Sequence, residues 1–143
     1  MINNSFTKNS IDDIKIIYGV NFEENNGNIY IFENLHNLKI GLIKRLFFVN
    51  ANKNDLRGHH AHLECTQLIF IMNGKIKLHL FDGKKNQIIM MDNKKNGVLV
   101  PNGIWAIQEY LENNTTISVL CDTVYNENEY IRDKSEFMKL KNG

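Results

Sequence analysis

From about residue 59 to residue 121, short apolar runs recur roughly every 8–12 residues, with polar turn signals between them. The runs are His59–His62, Thr66–Met72, Lys75–Phe81, Gln87–Met91, Gly97–Val100, Ile104–Tyr110 and Thr115–Cys121. The turns fall at Asn73-Gly74, Asp82-Gly83, Asn93–Gly97, Asn102-Gly103 and Asn113-Asn114. Within the third run, Ile76, Leu78 and Leu80 alternate with Lys75, Lys77 and His79, so one face is buried and the other wetted. Strands of this length and spacing predict an all-β sandwich or barrel.

The flanks carry weaker signals. Residues 1–13 are polar and read as a loose leader. Ile14–Tyr18 and Asn28–Phe32 read as a hairpin around the polar Asn21–Gly27. Ile40–Val49 is an apolar run broken by Lys44 and Arg45, and Asn50–Leu56 is a polar loop. Only the tail, from about Glu127 to Leu140, looks helical, with Ile131, Phe137 and Leu140 on one face. With no repeat and no linker, residues 1–143 read as one domain.

A formal net charge of +1 argues against a broad nucleic-acid footprint. No run approaches the roughly 20 apolar residues of a membrane span, and the start lacks the apolar core of a signal peptide. Cys65 and Cys121 are too few for a disulfide framework, so a reducing cytoplasm is expected and both read as small buried residues.

Three of the five histidines lie in Arg57-Gly-His-His-Ala-His62. His60 and His62 are two apart and project from one face of a strand. Such a pair either chelates a metal or shares proton transfer on one substrate. His59 alternates away from them, His79 shares the lysine face, and His36 sits in a polar turn. The only proline lies in Gly97-Val-Leu-Val-Pro101-Asn-Gly103, a tight turn between two strands.

Together these two segments resemble the motifs of the cupin superfamily, a small β-barrel or jelly roll. His60-Ala-His62, Gln67 and Gly74 stand for the first motif. Gly97, Pro101-Asn-Gly103 and Ala106 stand for the second. A cupin metal site uses three histidines and a glutamate. Here Gln67 replaces the carboxylate and Ala106 the third histidine, while Glu64 falls where the chain turns. A neutral amide is a poor ligand for a hard cation and alanine is none. The pair therefore reads as proton-transfer groups, with no metal and no cofactor.

A closer resemblance runs from about Ile14 to Leu140. Lys44-Arg45-Leu-Phe-Phe, Arg57-Gly-His-His-Ala-His62, Pro101-Asn-Gly-Ile-Trp105 and Tyr125-Asn-Glu-Asn-Glu-Tyr130-Ile-Arg-Asp133 are similar to the nucleotide-sugar 3,4-ketoisomerases. These are metal-free cupins acting on dTDP-4-keto-6-deoxy-D-glucose. The resemblance implies a jelly roll with a short C-terminal helix, a dTDP-linked keto sugar as partner, and a homodimer. Independently, the Ile14–Phe32 hairpin reads as one that a barrel does not need for closure and that could add to a partner's sheet. The resemblance also implies a carbonyl moved from C4 to C3 through an enediol, feeding an aminotransferase that makes a 3-amino sugar. Proton removal at C3 and delivery at C4 suit His62 as base and His60 as its partner.

The remaining roles follow from chemistry. Arg57 and Arg45 suit the enediolate or the diphosphate, although Arg45 also reads as a surface residue. Gln67 suits the sugar. Trp105 suits either stacking on thymine or core packing. Tyr125, Tyr130 and Arg132 match the family's tail without an assigned role. Phe48 stands where many relatives carry Tyr. A dTDP-sugar epimerase of related fold and a non-catalytic sugar-binding cupin are the rival readings. A metal-dependent oxygenase is more distant.

Overall fold

The computed structural model describes residues 4–92, 94 and 96–143. The first three residues of the expected leader, and Asn93 and Lys95 of the expected 93–97 turn, lie outside the described residues. Among the described residues twelve strands follow in chain order: β1 (Lys15–Tyr18), β2 (Val20–Glu24), β3 (Gly27–Ile31), β4 (Arg45–Ala51), β5 (Leu56–His62), β6 (Gln67–Asn73), β7 (Ile76–Phe81), β8 (Asn86–Met91), β9 (Asn96–Val100), β10 (Trp105–Tyr110), β11 (Thr115–Cys121) and β12 (Tyr130–Ile131). Helices α1 (Asn4–Lys8) and α2 (Lys134–Asn142) flank them. Among the described residues, no helix is long and apolar enough to cross a membrane.

One five-stranded sheet has the order β1-β9-β6-β11-β4, and the second β12-β5-β10-β7-β8. All the pairings are antiparallel. The chain is thus a jelly-roll barrel of the cupin type, closed by a short C-terminal helix. The alternation in β7 does what it predicts: Ile76, Leu78 and Leu80 are buried against Ile69, Val98, Ile117 and Val119 of the other sheet. The alternate residue His79 sits half-exposed on the outer face, beside Glu109 at 3.0 Å. A second apolar cluster gathers Phe6, Ala61, Trp105, Ile131 and Phe137. Burying one such side chain stabilises a fold by about 1.5–3 kcal/mol.

Three expectations about the flanks need correction. The leader is not loose: Phe6 of α1 is fully buried, edge-on to Phe137 of α2 with ring centroids 6.0 Å apart. The Lys141 Nζ donates to the Phe6 and Asn9 carbonyls, both at 2.7 Å, tying α1 to α2. Gly103 belongs to the same junction, with φ of 80° and a Cβ position 2.3 Å from the Phe6 carbonyl oxygen. Only glycine fits so close an approach.

The hairpin is also placed differently. β1 pairs with β9, and the hairpin proper is β2 with β3, which form a two-stranded sheet of their own. In the tail, helix α2 begins only at Lys134, capped by the Asp133 carboxylate, which accepts from the Glu136 amide at 2.9 Å. Ile131 lies upstream in β12, which pairs with β5 instead of continuing a helix.

Candidate functional site

The site is organised by a β-bulge. Along the β5–β10 ladder Ala106 stands opposite His60, but Ile107 stands opposite Gly58 and Gln108 opposite Arg57. His59 is the extra residue, with φ of 54°. Gly58 precedes it at φ of 92°, its Cβ position 2.8 Å from the Ala106 carbonyl oxygen, a conformation and an approach that favour glycine. In a regular strand, residues 57 and 60 face opposite ways. The bulge turns both toward one cavity of about 370 Å³.

Strand β4 supplies Phe47 and Val49 to the cavity and β6 of the same sheet Gln67, while β10 of the other sheet supplies Gln108. Tyr130 and Arg132, from the tail, complete it. His59 lies on its exposed rim, so it does not point away from the cavity as strand alternation alone implies. Phe48 is 62% exposed on the outer face of β4, so the side chain at that position does not meet the cavity.

The two imidazoles meet edge-on with centroids 4.9 Å apart. The His60 Nδ1 lies 3.0 Å from the Gly58 carbonyl oxygen, which can only accept, so Nδ1 carries the proton. Burial, followed by the neighbouring His62, pushes the His60 imidazole down to about 4 against the pull of that carbonyl. At neutral pH His60 is uncharged.

His62 sits deeper, 6% exposed. Its Nδ1 is 2.5 Å from the Glu129 Oε1. The Glu129 Oε2 accepts from the backbone amides of Glu64 at 3.2 Å and Cys65 at 3.3 Å. Burial raises the Glu129 carboxyl, but its hydrogen bonds and His62 outweigh that and hold it below the usual range. Glu129 is therefore an anion that receives the His62 Nδ1–H, and the buried His62 Nε2 has no hydrogen-bond partner among the described residues.

The other residues singled out in the sequence divide. Arg57 and Gln67 line the cavity. Gln67 is buried, and its Nε2 donates to the Cys121 sulfur at 3.7 Å. Arg45 stands behind the lining, its Nη1 donating to the Tyr130 hydroxyl at 3.3 Å. Trp105 is 5% exposed and packs 5.6 Å from Phe137 in the second apolar cluster, so the core-packing alternative describes it. Cys65 and Cys121 are buried and free.

Glu129, Tyr130 and Arg132 went without a role in the sequence. They sit together in the tail motif, and their positions depend on β12 pairing with β5, where Tyr130 is the cross-strand partner of His62. Arg132 lies over the Tyr130 ring at 4.6 Å and is held by Glu127 at 2.6 Å.

The donor set does not fit a cupin metal. At the ligand positions stand two imidazoles, one amide and the methyl of Ala106. His62, Cys65 and Glu129 also converge, with ligand atoms within 4.8 Å. There the carboxylate is already engaged by three hydrogen bonds, and the hydrogen bond to Cys121 with burial pushes the Cys65 thiol up, so it keeps its proton.

Comparison with known proteins places this cavity in a family. A 3,4-ketoisomerase from Helicobacter canadensis shares 32% identity, with a TM-score of 0.83 over 92% of this chain and 98% of that one. A TDP-fucose-3,4-ketoisomerase from Campylobacter jejuni shares 28%, with a TM-score of 0.78 over 90% of this chain and 95% of that one. A TDP-4-oxo-6-deoxy-alpha-D-glucose-3,4-oxoisomerase from Aneurinibacillus thermoaerophilus is 28% identical over 124 residues, or 84% of this chain and 88% of that protein. The family model described as "FdtA: WxcM-like, C-terminal" matches residues 12–142. A match of that extent makes this chain a member of the FdtA family.

Proposed function

We propose that the protein is a sugar-nucleotide isomerase that moves the keto group of dTDP-4-keto-6-deoxy-D-glucose from C4 to C3 through an enediol. The observation that carries this is His60 in the cavity lining with His62 packed edge-on behind it and backed by the buried Glu129 carboxylate, in a chain of this family. Enolisation beside a ketone needs a base that is free to accept and a counter-charge for the cation it becomes. The His62 Nε2 is free, and Glu129 fixes the Nδ1–H tautomer and faces the imidazolium once a proton has been taken.

His60 is held uncharged, so the acid that returns a proton to C4 is the imidazolium of His62 itself. His60 then orients the sugar with its Nε2 lone pair. Arg57 and Arg132 supply positive charge for the diphosphate and the enediolate, and Gln67 bonds the sugar.

The reading extends to the cell and the assembly. The enzyme works in a reducing cytoplasm, which two free buried thiols favour, and its product passes to an aminotransferase building a 3-amino sugar for surface glycans such as lipopolysaccharide. It is a homodimer. The β2–β3 hairpin stands outside both large sheets and exposes Val20, Phe22 and Ile29, while the edge strand β4 exposes Leu46 and Phe48. Apolar strands left this open are covered by a partner's sheet. A stable monomer at micromolar concentration in sedimentation overturns the dimer.

The test of the activity is incubation with dTDP-4-keto-6-deoxyglucose and a 3-aminotransferase, followed by NMR of the trapped amino sugar. A 3-amino product, gluco or galacto at C4, is the expected result. A 3- or 5-epimer identifies an epimerase, and unchanged substrate that still binds identifies a binding protein.

A further inference from the structure

The thiols of Cys65 and Cys121 are nucleophilic groups that the isomerisation does not use. Cys121 ends β11 opposite Gln67 of β6, and Cys65 stands two residues before Gln67. Both side chains thus leave the same face of the ladder as diagonal neighbours. They touch: the Cys65 thiol donates a hydrogen bond to the Cys121 sulfur. Both are buried.

The two sulfurs are not equivalent. The hydrogen bond from Cys65 holds the Cys121 thiol below its ordinary value against the pull of burial, and the charge of Arg45, its cross-strand partner in β4, adds to this. The same hydrogen bond, with burial, pushes the Cys65 thiol up. Cys121 is therefore the attacking sulfur and Cys65 a protonated thiol placed to resolve it. Burial slows an oxidant without shutting it out. Gln67, which donates to the Cys121 sulfur at 3.7 Å, is itself part of the cavity lining. One amide side chain separates that sulfur from the cavity, and hydrogen peroxide is scarcely larger than water.

We infer that Cys65 and Cys121 form a redox modification site, closed to a disulfide by a peroxide, that reversibly lowers the turnover of the cavity beside it. The effect on turnover rests on the function proposed above. In the first step the Cys121 thiolate attacks hydrogen peroxide; an S–O bond forms, the O–O bond breaks, and hydroxide leaves. In the second step the Cys65 sulfur attacks the sulfenic sulfur; the S–S bond forms, the S–O bond breaks, and the departing oxygen leaves as water with the Cys65 proton. Two thiols lose two electrons, and the peroxide is reduced to two waters.

Closing the bond moves the chain. Diagonal neighbours in a ladder have Cα atoms about 7–8 Å apart, whereas a disulfide usually holds them within about 4.4–6.8 Å. Residues 63–66 lie between β5 and β6, outside both strands, and are the part free to shift. Within that link the amides of Glu64 and Cys65 hold the Glu129 carboxylate behind His62. Oxidation also removes the thiolate that accepts from Gln67. The support of the base and a lining amide are thus displaced together.

The experiment treats the full-length protein with hydrogen peroxide and reads intact mass, mapped peptides and turnover, before and after dithiothreitol. The expected result is a mass lower by two hydrogens and a peptide linking Cys65 to Cys121. With it, kcat falls toward the loss of roughly 10² that a misplacement of about 1 Å produces. Dithiothreitol restores both mass and turnover, which it does not do for an oxidised methionine. Cys65→Ala and Cys121→Ser, each compared with its own untreated sample, lose this reversible response. Two free thiols after treatment, a disulfide that leaves kcat within about threefold of the untreated protein, or an undiminished reversible response in either variant overturns this inference alone. No conversion by the untreated protein overturns the proposed function and this inference together.

Discussion

His62 and Glu129 lie 67 positions apart in the chain, yet the imidazole Nδ1 meets the carboxylate at 2.5 Å in a buried pocket. Replacing Glu129 with Gln keeps the size but removes the charge that faces a protonated His62. The expected result is a kcat lower by about 10²–10⁴ with a nearly unchanged KM, because the lost interaction is made mainly after proton transfer. Steady-state kinetics checks this. A variant that loses affinity but keeps kcat removes Glu129 from the chemistry.

The two histidines are expected to separate under isotope exchange. In deuterated buffer, His62→Asn should stop label from entering C3, since the base itself is gone. His60→Asn should lower turnover while C3 exchange persists, because His62 is intact. NMR of the recovered substrate reads both. Near-native turnover in the two variants shows that other residues carry the reaction.

Acid should weaken the fold in a defined window. Folded His60 titrates at about 4 against 6.5 when unperturbed, so between those values the unfolded chain binds more protons. Stability therefore falls as pH drops from 6.5 toward 4, by at most about 1.4 kcal/mol per pH unit from this residue. Glu129 acts in the same direction lower down: its depressed folded value stabilises the fold above 4.5, and that contribution is lost as pH falls through the folded value. Denaturant unfolding at stepped pH tests this, with His60→Asn giving a shallower slope between 6.5 and 4. Equal slopes remove His60 as a source of acid lability.

Exhaustive chelation is expected to leave turnover unchanged, given an amide at position 67 and a methyl at position 106. Activity lost on chelation and restored by iron, manganese or zinc contradicts the proton-transfer reading of the histidine pair.

Much of the barrel was legible because local signals agree. From β6 to β11, alternation or apolar runs coincide with turn residues, and the observed strand limits differ from the expected ones by one residue at most. The flanks were not legible, for a physical reason. Phe6 is a lone aromatic in a polar segment, and what orders it is Phe137, 131 positions away, with no periodicity to announce the contact. The partner of β1 was likewise a tertiary choice: β9 competes with the nearby β3, and sequence proximity favours the wrong one. At the site, the histidine spacing led to β5, and Arg57 and Gln67 line the same cavity as His60. Glu129 and Tyr130 stayed hidden because the tail reads as helix until β12 is seen to pair with β5. Trp105 had two possible surroundings, and only packing decides between them.

The single surplus residue in β5 makes chain length part of the chemistry. Deleting His59 would leave a strand able to pair with β10 along its whole length, yet Arg57 and His60 would no longer share a side. A gap or insertion between the arginine and the histidines of a relative is therefore a change of active site, even when every named residue is retained. Alignments that slide such a gap to improve identity erase the difference. Counting the residues from Arg57 to His62 is the more faithful guide to which homologues share this cavity.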